Sequence, residues 1–430
     1  MTYQETLAFL LEQLPMYQQV GRSAVKKNLT NIRSLCDHLN NPHQKFLSLH
    51  IAGTNGKGSS AHMLAAILQT AGYKTGLYTS PHLKDFTERI RVDGIPIPTD
   101  KVAQFVEQNQ EYLTHLRPSF FEMTVAMAFK YFAEEQVDIA VVEVGLGGRL
   151  DSTNILTPLL SLITNIGLDH TDMLGDTLAE IAYEKAGIIK SGIPVVVGSY
   201  HEQTLPVFKK KAQQKGSSLL LAFEDYRVVR QKIDTNYQYL SVYYQEELLY
   251  SDIKLSLLGN YQQYNLVGVL ASVSQLANQG FAITEQHIRS GLQAVQNLTG
   301  LKGRWQLLGN NPTVVADTGH NLEAFEELIR QIDQYSYRKL KMVLGFVQGK
   351  DLQKLFALLP VSAKYYFCLA DIPRAMPLNQ VVEVAQEYQL DFEMIADVNQ
   401  ALQVAEYQAT PEDFIFVGGS TFVVAELDIV

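Results

Sequence analysis

Cysteine is nearly missing: among 430 residues there are only Cys36 and Cys368, each in an apolar stretch. A disulfide framework or a structural zinc site needs more, so the expected setting is the reducing cytoplasm. Long apolar runs are missing as well. The longest, such as Ile139 to Val144, have the length of a strand and fall far short of a membrane span. The opening MTYQETLAFLLEQLP has no basic segment followed by a continuous apolar one, which argues against a signal peptide. Charged residues amount to 19% and the net charge is −10. That excludes the positive footprint of a nucleic-acid binder, while a few local cations and helix N-termini can still bind small anions on an acidic protein.

What the chain does have is apolar material for a core, 47% of its residues, and a length that suggests two or three folded units at about 100–200 residues each. Lys45–Gly53 reads as a buried strand, followed by a glycine-rich turn and then a helix with apolar residues at Ala61, Leu64, Ala65, Leu68 and Ala71. Further strands are expected at Thr75–Thr79, Val137–Val144, Leu159–Ile166 and Pro194–Gly198, with helices between several of them. This is the rhythm of a mostly parallel sheet covered by helices on both faces. From about Ser217 to Leu257 short alternating runs predict appended antiparallel hairpins, and a helix pair follows at about Tyr261–Ala277 and Thr284–Val295. Gln296–Arg304 is rich in turn formers, and a domain boundary is placed there. Beyond it TVVADTG, KMVLGFV, AKYYFCLA and DFIFVGG predict the strands of a second, smaller α/β domain.

Chemistry concentrates where strands end. GTNGKGSS, from Gly53 to Ser60, joins the first strand to its helix. Glycines let backbone N–H groups converge on a phosphate, Lys57 adds a positive charge, and a following hydroxyl can reach Mg²⁺. The match to the phosphate-loop pattern is imperfect, because Ile51 holds the first glycine position and Gly58 separates Lys57 from Ser59. The bland alternative is a turn with a solvated lysine. In VVEVGLGGRLDSTN, Glu143 falls at the end of a buried strand; a carboxylate there faces a crevice as a Mg²⁺ ligand or sits in a structural ion pair. His170, flanked by Asp169 and Asp172, is either a ligand contact or a structural histidine. By periodicity alone Lys185 of YEKAGIIK is a surface lysine near a helix C-terminus. Asp317 and His320 of VVADTGHN end a strand facing the expected interdomain cleft, or merely cap a helix, and Arg304 is the cation available to bridge the two domains over a phosphate.

In order along the chain, GTNGKGS, TSPHL, FFE, VEVGLGGRLDSTN, LDHTDMLG, EKAGI, GNYQQYN, GR and DTGHN resemble the Mur-ligase superfamily, in its folylpolyglutamate/dihydrofolate synthase branch. The loop begins at Gly53, so the extra N-terminal domain usual in the peptidoglycan Mur ligases is not expected. The resemblance implies an α/β fold: a parallel-sheet ATP-binding domain with a phosphate loop and a small antiparallel appendage over residues 1–297, and a smaller Rossmann-like C-terminal domain over 298–430. It implies that Gly53, Thr54, Asn55, Gly56, Lys57, Gly58 and Ser59, with Asn265, Arg304, Asp317 and His320, bind ATP. Ser59, Ser80, Glu143, His170 and Lys185 would serve two Mg²⁺ ions, Lys185 as a carbamate formed with CO₂. Phe121, Glu122, Leu150, Asp151 and Ser152 would handle the pterin substrate. The implied reaction is ATP-dependent attachment of L-glutamate to dihydropteroate or a reduced folate, or to both, by a cytoplasmic monomer with no nucleic-acid or membrane partner. A phosphate-loop kinase, or a Mur-type amide ligase with another acceptor, is the alternative. One departure stands out: Gly319 occupies a position where the family usually has alanine.

Overall fold

The computed structural model describes residues 1–13 and 28–430, which fall into two compact units. One comprises Met1–Ile233, Tyr237–Ser256 and Gln262–Gly300; the other comprises Asp234–Asn236, Leu257–Tyr261 and Leu301–Val430.

The first unit is built on an eight-stranded sheet of spatial order β4-β3-β2-β5-β1-β6-β7-β8. Its strands are β1 (Leu47–Ala52), β2 (Thr75–Tyr78), β3 (Ile90–Val92), β4 (Ile95–Pro96), β5 (Ile139–Glu143), β6 (Leu160–Ile163), β7 (Val195–Val197) and β8 (Leu219–Leu221). From β2 to β8 every pairing is parallel, and β3 and β4 extend the β2 edge antiparallel. Strands β5, β6 and β7 are buried along their whole length. They carry Val, Ile, Leu and Ala on both faces, as a sheet sandwiched between helix layers requires. Ala140 and Val142 of β5 join one core with helix Phe120–Glu134, and Ile163, Val195 and Val197 join another with Ile181, Ile188 and Phe208. Helix Lys57–Thr70 packs on β1, β2 and β5. Residues Ser59 to Leu68 are buried on every side, not along one apolar stripe as expected, because helices Gln262–Asn278, Glu285–Gln293 and Val295–Thr299 cover it.

The order of the strands creates the site. Chain leaving β1 reaches β2 on one side of β5, whereas chain leaving β5 crosses to β6 on the far side of β1. Neighbouring connections therefore diverge at the carboxyl ends of β1, β5 and β6 and leave a crevice there, the usual ligand position in open α/β sheets. A three-stranded antiparallel sheet of β9 (Tyr226–Ile233), β10 (Gln238–Tyr244) and β11 (Glu247–Leu255) lies against helices Gln262–Asn278 and Glu285–Gln293. The expectation of hairpins from Ser217 onward needs one correction. Leu219–Leu221 pairs parallel with β7, since three successive leucines suit a parallel edge, and the antiparallel pattern starts only at Tyr226.

The second unit has a six-stranded sheet of order β12-β13-β17-β14-β15-β16. Its strands are β12 (Gln306–Asn310), β13 (Thr313–Ala316), β14 (Leu340–Leu344), β15 (Lys364–Phe367), β16 (Asp391–Met394) and β17 (Phe414–Gly418); only the β12–β13 hairpin is antiparallel. Trp305, Phe325, Phe356, Phe367 and Phe416 fill its core. Both cysteines are buried and unpaired, which agrees with their apolar contexts.

Candidate active site

The chain leaves β1 at Ala52 and turns into helix Lys57–Thr70 through Gly56, the N-cap residue, at φ +84°. Glycine adopts that left-handed conformation without steric cost. Space requires it too, since a Cβ at Gly56 would lie 2.1 Å from Oδ1 of Asn265. Asn265 thus rests on the loop, and its Nδ2 donates to Oε1 of Gln262 at 2.9 Å. Gln262 in turn donates to Oγ of Ser59 at 3.1 Å, so the Ser59 hydroxyl, expected at phosphate or metal, is buried and engaged by that helix. The other wall of the loop is the segment after β6. Thr54 N–H donates to Asn165 O at 2.9 Å, Asn55 N–H to Asn165 Oδ1 at 2.7 Å, and Thr164 Oγ1 to Asn55 O at 2.6 Å. Held on both sides, the loop leads into a first helical turn whose N–H groups have no acceptor inside the helix, a ready anion site.

Two lysines converge on this loop. Lys57 Nζ donates to the carbonyls of Gly53 and Thr54, each at 3.0 Å, and Lys185 Nζ donates to the same Gly53 carbonyl at 2.8 Å. The surface-lysine reading of Lys185 is therefore wrong: the residue is 4% exposed. Burial, and then the charge of Lys57, push its pKa down to about 7, opposed by the carboxylates of Asp169 and Asp151. Near neutrality a substantial share of it is free amine, which an ordinary lysine does not offer.

Glycine-permitted backbone contacts carry Lys185 inward. A Cβ at Gly148 would meet the carbonyl oxygens of Glu184 and Lys185 at 2.9 and 3.0 Å, and one at Gly187 would meet Cα of Arg149 at 2.3 Å. Arg149 N–H donates to Glu184 O at 2.8 Å, and its Nη2 pairs with Glu184 Oε1 at 2.9 Å. GLGGR and EKAGI are thus the two halves of one close backbone contact.

Glu143 ends β5 beside Ile51 of β1, is 5% exposed, and accepts the Ser80 N–H at 3.2 Å. The structure so brings Ser80 and Glu143 together. His170 lies half-exposed at φ +49° before the short helix Thr171–Leu174, and its Nε2 is 3.9 Å from Asp169 Oδ2. Asp169, which the sequence reading did not select, couples to both His170 and Lys185; only its place between a strand end and His170 could have flagged it. Among the described residues no three His, Cys, Asp or Glu side chains group as a metal cage. Mg²⁺ commonly takes one or two carboxylates and completes its shell with phosphate oxygens and water, so the oxygens of Ser80 and Glu143 suit it. An imidazole such as His170 suits a hard cation less well.

The expected pterin residues divide. Phe121 lies so close over Gly145 that a Cβ there would be 2.4 Å from its ring, and its centroid is 6.2 Å from that of Tyr78. Leu150 is half-buried. Ser152 is buried in a turn that Asp151 caps. The Asp151 carboxylate accepts from Leu146 N–H at 2.9 Å, Thr153 N–H at 3.0 Å and Thr153 Oγ1 at 2.5 Å, and burial raises its pKa. Glu122 accepts from the N–H of Ser119 at 2.7 Å as half of a capping box and is 2% exposed. Both acids accept hydrogen bonds from backbone N–H groups of their own loops.

In the second unit Asp317 follows β13, and its carboxylate accepts from Tyr261 Oη and Trp305 N–H, both at 2.6 Å, and from Gly319 N–H at 2.7 Å. Burial raises its pKa. It is a hub that fixes the turn before Trp305, where Arg304 donates to Gly303 O at 3.1 Å and to Thr318 Oγ1. His320 is half-buried, with Nδ1 3.0 Å from Thr318 O. The departure at Gly319 has a steric basis: a Cβ there would meet Leu328 Cδ1 at 2.9 Å and Ala324 Cβ at 3.1 Å.

Known proteins resemble the chain over most of its length. Residues 51–273 match the Mur ligase middle domain and residues 303–421 the Mur ligase glutamate ligase domain, so the chain belongs to the Mur ligase family. Its relatives narrow the group. The Bacillus subtilis dihydrofolate synthase/folylpolyglutamate synthase is 32% identical over 413 residues, 94% of either chain. A probable bifunctional folylpolyglutamate synthase/dihydropteroate synthase of Haloferax volcanii is 35% identical across 99% of this chain, which spans 50% of that longer protein. Among solved structures, Mycobacterium tuberculosis folylpolyglutamate synthase complexed with ADP superimposes with a TM-score of 0.87 at 30% identity, covering 98% of this chain and 96% of that one. Escherichia coli FolC in complex with DHPP and ADP gives 0.84 at 29% identity, covering 99% and 96%. Within the Mur ligases the chain falls in the folylpolyglutamate/dihydrofolate synthase branch. No helix among the described residues is long and apolar enough to cross a membrane.

Proposed function

We propose that this chain is an ATP-dependent ligase that joins L-glutamate to the carboxylate of a pterin acceptor through an acyl phosphate. It takes both dihydropteroate and reduced folates as acceptors, acting as a cytoplasmic monomer. One observation carries the reading: Lys57 and the near-neutral Lys185 meet on one carbonyl of a phosphate-type loop, in the strand-end crevice that also holds Ser80 and Glu143.

An acceptor carboxylate oxygen attacks the γ-phosphorus of ATP, the bond to the β–γ bridging oxygen breaks, and ADP departs. The free amine of glutamate then attacks the acyl carbon; phosphate leaves and the amine proton passes to solvent. Such a reaction asks the protein for positioning and charge neutralisation more than for covalent help. The first-turn N–H groups after Gly56 and the ammonium of Lys57 supply both to the phosphates. Lys57 rests on loop carbonyls and has to exchange at least one of them for a phosphate oxygen. Ser80 and Glu143 would hold Mg²⁺, and a carbamate on Lys185, with His170, would hold a second ion. A metal held there would supply neutralisation of the negative charge on the phosphates. Asn265 braces the loop, while Arg304 and His320 contribute to nucleotide binding on a turn fixed by Asp317. Phe121 supplies an aromatic surface for the pterin, with Leu150 beside it and Glu122, Asp151 and Ser152 shaping the loops around it.

Loss of a charged contact to the transferring phosphoryl group lowers turnover on the order of 10²–10³-fold. Lys57→Ala should therefore reduce glutamate-dependent ADP release by at least that factor while far-ultraviolet circular dichroism stays as in the parent. Near-normal turnover in that variant would refute the assignment.

A further inference from the structure

Arg89 is a buried cation with no carboxylate in ion-pair contact among the described residues. It closes the short 3-10 turn Phe86–Arg89 ahead of β3 and is 4% exposed. Its Nε donates to Nδ1 of His82 at 2.7 Å, which fixes that histidine as a neutral acceptor. The guanidinium lies 5.4 Å above the ring of Phe120. Among the described residues no ion pair joins it to a carboxylate, although the fields of Glu143 and Glu88 reach it. Glu88 is already committed, accepting from the N–H groups of Leu83 at 2.8 Å and Lys84 at 3.2 Å as the capping partner of Asp85. Glu143 receives Ser80 N–H. Tyr78 lies beside the guanidinium and interacts with it through a hydroxyl that is fully buried and otherwise without a partner. A buried guanidinium that meets only neutral partners, His82 and Tyr78, carries a desolvation cost that an arriving anion would offset.

The surroundings define that anion. Phe86 and Phe120 meet edge to face at 5.7 Å, His82 lies 6.4 Å from Phe86, and the rings of Tyr78 and Phe121 are 6.2 Å apart. Tyr78, Phe86 and Phe120 belong to the buried core, while His82 and Phe121 are partly exposed and offer ring surface there, which suits a ligand with an aromatic body and an anionic end. Tyr78 ends β2, which β5 separates from β1 and its phosphate loop. Two strand spacings put about 10 Å between those strand ends. An anion paired with Arg89 thus stands nearer the end of β5, where Glu143 lies, than the loop that holds the phosphates.

We infer that Arg89 is the anchor for the reacting carboxylate of the aromatic acceptor, held through its terminal guanidinium nitrogens with the Tyr78 hydroxyl as a second donor. The inference rests on the ligase reading above and adds the residue that orients the nucleophilic oxygen. Arg–carboxylate pairing is directional, with two parallel N–H···O bonds, so it fixes which oxygen faces the phosphorus.

The test compares Arg89→Met and Arg89→Lys with the parent by titration calorimetry, using dihydropteroate and the same pterin lacking its carboxylate. Loss of a charge-assisted hydrogen bond to a buried anion weakens binding by roughly 10- to 100-fold. Dihydropteroate should bind Arg89→Met weaker by that factor, and Arg89→Lys should recover part of the loss. The decarboxylated compound should bind all three proteins within about twofold, as should ATP. Equal weakening of both pterins in Arg89→Met would mean that Arg89 only supports the aromatic wall, and unchanged dihydropteroate binding would mean that it does not touch the acceptor. Either result overturns the inference while leaving the ligase reading intact, whereas a parent protein that binds neither pterin and ligates no glutamate removes the reading beneath it.

Discussion

At the scale of single residues the proposed chemistry turns on Lys185. A carbamate forms only from an unprotonated amine, and an ordinary lysine at pH 7 has almost none. Burial against the Gly53 carbonyl, with Lys57 adjacent, brings its pKa to about 7, so CO₂ finds a competent nucleophile under neutral conditions. Carbon-13 NMR of protein equilibrated with labelled bicarbonate should reveal a carbamate signal that grows as pH rises through about 7 and is missing in Lys185→Met. A spectrum without that signal at any pH would remove the carbamate from the account. The same shift has a stability consequence. Between the folded value of about 7 and the ordinary 10.5 the unfolded chain binds more protons than the folded one, so this residue's contribution to stability improves as pH rises across that window. Below it the full cost of a buried ammonium is carried. Lys185→Met should accordingly raise the melting temperature most at acid pH and least in alkali.

Between elements, the decisive contact is that of the loop after β5 with helix Leu178–Lys185. It is a glycine-mediated backbone approach, and a methyl group at Gly187 would have to fit 2.3 Å from Cα of Arg149. Backbone cannot step aside as a side chain can, so Gly187→Ala should cost about 1–3 kcal/mol or more in denaturant unfolding and lower activity by displacing Lys185. Gly319→Ala meets the mobile tip of Leu328 and should cost less. These glycines show what could be read from the chain alone. The parallel strands were legible because continuous Val/Ile/Leu runs such as Ile139–Val142 have few other solutions, and the phosphate loop because glycines and a lysine stood between strand and helix. Lys185 by periodicity was not, because helical phase says nothing about which helix end is driven into a crevice by a neighbouring glycine pair. Nor were the internal duties of Asp151 and Glu122, whose partners are backbone amides a few residues away. β16 escaped notice because DFEM is short, half-exposed and carries two acids; β12 did because its alternation is broken by a bulge near Gly309.

For the molecule as a whole, a sheet whose strand order diverges at β1 gathers groups from distant parts of the sequence, Gly53, Ser80, Glu143, Asp169 and Lys185, around the turn that follows β1. Its acidic net charge of −10 does not oppose an anionic nucleotide, because the positive elements are local: a helix N-terminus, Lys57, and the metal that Ser80 and Glu143 would hold. The account stands on coupling among three substrates, and the direct measurement is ADP release with product analysis, giving ATP, L-glutamate and either dihydropteroate or a reduced folate to the intact chain. It predicts one amide bond formed per ADP and phosphate released, with turnover only when glutamate and an acceptor are both present. A phosphorylated acceptor accumulating as the end product, or ADP release that ignores glutamate, would contradict it.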